Sequence, residues 1–149
     1  MPEPKIYLDS CCFNRPYDDQ AQDIIKLETA AKMFIQKMIY EKRLRLVWSY
    51  ILKYEVSRNP DPMRQSEIAK WRKLSVEFIA ENPNIINLAE EVEVSGVKPY
   101  DALHVACAIS ANCDYFISVD KRLLKYKNKK IILCNPLQFI SVLEDGEKY

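Results

Sequence analysis

Glycine and histidine are nearly absent from this chain. Its 149 residues include two glycines, Gly96 and Gly146, and one histidine, His104. Walker loops and dinucleotide fingerprints need several glycines to bring backbone close to phosphate, so neither is present. A hydrolase triad would have to use His104 as its base, and a histidine-rich metal site is excluded by count. No stretch approaches the roughly 18 apolar residues that span a bilayer, and the opening Met-Pro-Glu-Pro-Lys carries no apolar signal core, so neither membrane insertion nor secretion is expected. Charge of either sign is also not in excess: 22 basic against 21 acidic residues give +1, so any surface for a polyanion must be local. The five cysteines, Cys11, Cys12, Cys107, Cys113 and Cys134, form no doubled Cys-x-x-Cys zinc pattern, and their odd number reads as reduced thiols in a cytoplasmic protein.

What the chain does have is enough apolar residue for one core, 48% hydrophobic with 29% charged, and a single domain over residues 1–149 is expected. Short apolar runs at 5–8, 44–48, 115–118 and 129–134 read as strands. Between them, Leu27, Ala31, Phe34 and Met38 recur at helical spacing in a segment from Ile24 to Tyr40, after a polar loop from Asn14 to Asp23. Ser49 caps a helix running to about Arg58, which Asn59-Pro60-Asp61-Pro62 stops. Ile68, Trp71, Leu74 and Phe78 predict a further amphipathic helix closed by Asn82-Pro83, and a shorter one runs from Ile86 to Ser95. Pro99 opens a central helix to about Ala111 that is apolar nearly all round. A turn or short helix follows at 120–126, and a closing helix at 136–143. Alternating strands and helices predict an α/β fold, a three-layer α/β/α sandwich around a parallel sheet of four to five short strands.

Four acids stand where carboxylates are costly: Asp9 after the first strand, Asp120 after Tyr-Phe-Ile-Ser-Val, Asp101 in the first turn of the central helix, and Glu55 on the apolar face of Ile51 and Leu52. Taken singly, Asp101 and Asp120 read better as ordinary helix N-terminal acids than as ligands, and Asp9 can be read as a turn residue. Together they fall toward the carboxyl edge of the sheet, where open α/β folds collect ligands. Clustered carboxylates there call for a divalent cation and point to chemistry on phosphates.

The local sequences around these acids resemble the PIN domain family. The matches are Ile-Tyr-Leu-Asp-Ser at 6–10, Pro-Tyr-Asp-Ala-Leu-His-Val-Ala at 99–106, Asp-Tyr-Phe-Ile-Ser-Val-Asp-Lys-Arg-Leu-Leu at 114–124, and the tail Asn-Pro-Leu-Gln-Phe-Ile at 135–140, with Glu55 in the helix after the second strand. The resemblance implies a ribonuclease whose Asp9, Glu55, Asp101 and Asp120 are catalytic and hold Mg²⁺ or Mn²⁺. It also implies the toxin of a toxin–antitoxin pair of the VapC kind, with RNA as substrate, an antitoxin as partner and a homodimer as assembly. The alternative within the family is a catalytically silent PIN module that binds RNA or protein. Outside it stands a phosphotransfer protein with Asp9 as acceptor, although the phosphatase type wants Asp-x-Asp and position 11 is Cys. Where the family often has Thr-Asn after the first aspartate, this chain has Ser10-Cys11.

Secondary candidates surround the acids. Ser10, Asn14, Arg15, Ser118, Lys121 and Arg122 are expected to contact substrate, and the basic run from Lys121 to Lys130 borders the site. His104 reads as a packed helix histidine, Cys107 as an inert buried thiol, and Tyr17, Tyr54 and Tyr100 as core aromatics rather than base-stacking ones.

Overall fold

The computed structural model of the protein describes residues 3–147, so the domain expected over 1–149 extends outside them at both ends. Five short strands, β1 (Lys5–Leu8), β2 (Arg45–Ser49), β3 (Glu77–Ile79), β4 (Tyr115–Ile117) and β5 (Ile132–Cys134), form one parallel sheet in the order β3-β2-β1-β4-β5. Its central strand is β1, where Tyr7 pairs with Val47 on one side and Phe116 on the other. Strands buried on both faces need apolar residues at every position, and Ile6, Tyr7, Leu8, Leu46, Val47, Phe116 and Ile117 are each fully buried. Each large side chain removed from water there contributes roughly 1.5–3 kcal/mol.

Among the described residues, seven α-helices connect and cover the strands: α1 (Ser10–Asn14), α2 (Asp23–Tyr40), α3 (Tyr50–Ser57), α4 (Pro62–Ala69), α5 (Pro83–Val94), α6 (Pro99–Ser110) and α7 (Pro136–Glu147). Contacts pair α2 with α7, and α6 with α5 and α3, giving the three-layer arrangement. The caps explain several starts. Ser49 Oγ accepts from Leu52 N at 3.2 Å, and Asn82 Oδ1 accepts from Ile85 N at 3.1 Å. Asn82-Pro83 therefore opens α5, with proline at the first helical position, rather than only closing what precedes it. Gly96, at φ +94, ends α5 in the left-handed region that other residues avoid.

Two expectations fail in this region. The amphipathic helix predicted through Ile68, Trp71, Leu74 and Phe78 breaks at Ala69; a 3-10 turn covers Lys70–Leu74 and then β3 adds to the sheet edge. Pairing of Glu77, Phe78 and Ile79 with Val47, Trp48 and Ser49 supplies the ladder bonds that decide the outcome. In α2 the buried face runs through Ile25, Glu28, Ala31, Lys32, Ile35 and Ile39, whereas Leu27 and Phe34 face solvent.

Candidate active site

Strand order reverses its winding between β1 and β4, and in open parallel sheets this opens a crevice at the carboxyl ends of those strands. Asp9 is the first residue past β1 and the N-cap of α1; its Oδ1 accepts from Ser10 N at 2.8 Å. Its Oδ2 accepts from Ser118 Oγ at 2.9 Å and from Cys11 Sγ at 3.4 Å. Ser118 Oγ accepts in turn from Asp120 N at 3.1 Å, so one hydroxyl ties the acid after β1 to the segment after β4. Asp120 Oδ1 takes the amides of Arg122 and Leu123 at 2.9 and 3.2 Å.

Glu55 reaches the crevice from α3. Ser10 Oγ donates to its Oε2 at 2.5 Å, and His104 Nε2, from α6, donates to its Oε1 at 2.9 Å. Behind it a buried hydrogen-bonded chain runs into the sheet: His104 Nδ1 meets Tyr7 Oη at 2.6 Å, and Tyr7 Oη meets Ser49 Oγ at 2.6 Å. Burial alone would push Glu55 up and His104 down. The hydrogen bond between them, with Ser10 adding to Glu55 and Asp9 to His104, reverses both directions, leaving Glu55 below and His104 above their usual ranges.

Asp101 completes the group from the first turn of α6 and accepts no hydrogen bond from a described residue. Its carboxyl is pushed up to about 6, first by burial and then by the charges of Asp9 and Asp120, with His104 opposing and Glu55 adding a smaller push. Asp9, Asp120 and Glu55 therefore share one electrostatic environment with Asp101, to which no lysine or arginine of the described residues is hydrogen-bonded. Hard carboxylate oxygens with uncompensated charge suit Mg²⁺ or Mn²⁺. Among the described residues no three histidine, cysteine, aspartate or glutamate side chains form a preformed ligand cluster. Mg²⁺ keeps several waters and needs only one or two direct carboxylates, so the donor set fits such an ion.

Two clefts flank the acids. One, of about 240 Å³, is lined by Gly96, Lys98, Asp101, Asp120, Arg122 and Lys125; the other, of about 300 Å³, by Ser10, Asn14, Glu55, Arg58, Asn59 and Arg64. The structure thus brings Asp9, Ser10, Glu55, Asp101, Ser118 and Asp120 together and places Asn14 and Arg122 in the flanking clefts. It does not bring Arg15 with them: that guanidinium bonds Glu28 at 2.8 Å and Asp18 at 3.0 Å. Lys121 is exposed and lines neither of these two clefts. His104 is packed, as expected, but it also holds Glu55. Tyr17, Tyr54 and Tyr100 are exposed, against the expectation that they fill the core. Burial pushes Cys107 up to about 12, which removes a Cys-His nucleophile. Sequence reasoning missed Tyr7 and Ser49; the signal available was a hydroxyl on a strand read as wholly buried, which must find a partner.

A family model for the PIN domain matches residues 6–129. The chain belongs to the PIN domain family. PIN domains are in general nucleases that use divalent metal ions. No curated protein matches the sequence. Among solved structures, a chain of VapBC2 from Rickettsia felis, in a complex bound to a DNA fragment from its promoter, is similar with a TM-score of 0.55 at 16% identity, over 88% of this chain and 98% of that one. PAE2754 from Pyrobaculum aerophilum is similar with a TM-score of 0.56 at 18% identity, over 95% of this PIN domain chain and 96% of its own. At such identities the likeness is one of fold. No helix of the described residues is long and apolar enough to cross a membrane.

Proposed function

We propose that this PIN domain is a metal-dependent endoribonuclease that hydrolyses RNA phosphodiester bonds. The observation that carries the reading is the convergence of the acids at the sheet's switch point: Ser118 Oγ bonds both Asp9 and the Asp120 amide, Ser10 Oγ bonds Glu55, and Asp101 shares a cleft with Asp120. Asp9, Asp101 and Asp120 would hold Mg²⁺ or Mn²⁺, with Glu55 as a further ligand or as the group that orients water. A bound ion supplies Lewis-acid polarisation of the phosphoryl oxygen and a lowered pKa for its water. The remaining work belongs to side chains. Ser10 and His104 fix both oxygens of Glu55, so its carboxylate meets a water with one orientation. Ser118 and the Ser10 amide fix Asp9 in the same way. Lys98, Arg122 and Lys125 line the cleft along which substrate phosphates would run.

The VapBC2 complex supports a further step: this chain acts as a toxin in the cytoplasm, held in check by an antitoxin. The exposed stripe of Ile24, Leu27 and Phe34 on α2 supports a homodimer. A second reading is a silent PIN module that binds RNA or protein. Asp9 is buried and both its oxygens are engaged, which disfavours phosphoryl transfer to it. Incubating the purified chain with RNA and Mn²⁺, beside Asp9→Asn, separates the readings: cleavage lost in the variant supports the nuclease, and no cleavage by either supports the silent module.

A further inference from the structure

Tyr54 and Tyr100 each precede a site acid by one residue, Glu55 and Asp101, and both stand outside the core at 41% and 53% exposure. Their rings nevertheless do not lie loose. They stack on each other, centroids 6.2 Å apart at 16°, across the gap between α3 and α6. Arg58, one turn after Tyr54, donates to the Tyr54 hydroxyl at 3.0 Å and lies 5.5 Å from its ring centroid. With Glu55 these three side chains line a cleft of about 380 Å³. The pair joins α3 to α6, yet it leaves ring surface open to water beside the Glu55 carboxylate, which burial in the core does not account for.

We propose that Tyr54 and Tyr100 form a stacking platform that holds one unpaired base of the RNA beside the bond to be cut, with Arg58 facing the sugar–phosphate backbone. The proposal rests on the nuclease reading. Stacking on an aromatic ring accepts any base, because every base has a flat face, and it requires that face to be free. A base inside a duplex has both faces covered, so the platform selects single-stranded RNA without selecting its sequence. Tyr100 is the more exposed ring and the one to which a base adds. Its position one residue before Asp101 in α6 couples the base to the acids: a strand seated on the ring is anchored next to Asp101 and Glu55. A protein surface would also cover exposed tyrosines, but the occupant of this cleft also meets Glu55, which favours the substrate.

The test uses the full chain carrying Asp9→Asn, so that RNA binds without being cut, and single-stranded oligonucleotides with 2-aminopurine placed at successive positions. Quenching of the probe at one position is expected, with Tyr100→Leu abolishing it and weakening binding about tenfold or more. Tyr100→Trp should restore both, and a duplex of the same sequence should bind all variants alike. The platform is overturned if Tyr54→Leu and Tyr100→Leu, folded by circular dichroism, bind single strands and quench the probe as their parent does. If those two changes, made in the otherwise wild-type chain, leave KM for single-stranded RNA unaltered while it is still cut with Mn²⁺, the platform alone falls and the nuclease reading stands. If the parent binds no RNA and the wild-type chain cuts none with Mn²⁺, both fall together.

Discussion

His104 Nε2 lies 2.9 Å from Glu55 Oε1, and this contact joins the centre of the sheet to the edge where the acids gather. On its other nitrogen His104 meets Tyr7, whose hydroxyl also meets Ser49. Glu55 is thus aimed by a chain of side chains rooted in β1 and β2. His104→Leu should lower kcat about 10–100-fold, the usual cost of losing a group that orients a ligand, with the far-ultraviolet spectrum unchanged. Tyr7→Phe leaves His104 Nδ1 and Ser49 without that hydroxyl and should cost roughly 1–3 kcal/mol in urea unfolding. A His104→Leu protein with full kcat would remove the chain from the account.

Asp101→Asn should have opposite effects on the metal-free and metal-bound protein. Without metal it removes a carboxylate that burial, Asp9 and Asp120 all oppose, so Tm should rise. Millimolar Mg²⁺ or Mn²⁺ should stabilise the wild-type chain, and that gain should shrink or vanish in the variant. Thermal scans of both proteins with and without metal check this, and a fall in metal-free Tm would contradict it.

One thiol should react quickly with Ellman's reagent in the native protein. Cys12, Cys107, Cys113 and Cys134 are buried, and burial pushes the last three up to about 12, whereas Cys11 is half-buried. Cys11 Sγ lies 3.4 Å from Asp9 Oδ2 and from Ser118 Oγ, so modification there should also abolish cleavage. Cys11→Ser should lose the fast reaction and keep activity. Two or more fast thiols would contradict the burial pattern.

Lys32 lies inside α2's buried face, 4% exposed and 5.5 Å from the centre of the Phe13 ring. Burial pushes its ammonium down to about 8, against about 10.4 in an unfolded chain. Between those values the unfolded chain holds a proton that the folded one has released, so this residue makes stability rise with pH in that window. Below about 8 the penalty is fully present. Lys32→Met should therefore stabilise the protein at pH 7 by roughly 2–3 kcal/mol, a gain that shrinks as pH rises toward 10. Chemical unfolding of both proteins at the two pH values measures it, and a destabilised variant at pH 7 would contradict it.

Much of this was legible in the sequence because it is local. Asp9 directly follows an apolar strand, Ser49 caps the helix that carries Glu55, and Pro99 fixes the start of the helix that carries Asp101. What was not legible depends on partners far along the chain. Phe78 continues the helical spacing of Ile68, Trp71 and Leu74, and only pairing with Trp48 makes its segment a strand. Leu27 and Phe34 share a helical period with Ala31, but the sheet chose the neighbouring face. Arg15 precedes a proline near the site and looked free, yet Glu28 on α2 holds it. Tyr54 and Tyr100 could be called core or surface only after α3 and α6 were set side by side.

The central claim is that four carboxylates make this PIN domain a metal-dependent ribonuclease. Sequencing the 5′ ends left on total RNA by the purified chain with Mn²⁺, beside Asp101→Asn and a chelator control, tests it most directly. The account predicts defined new ends that need the metal and disappear in the variant. Identical ends from the wild-type chain and Asp101→Asn, or intact RNA in every reaction, would contradict it.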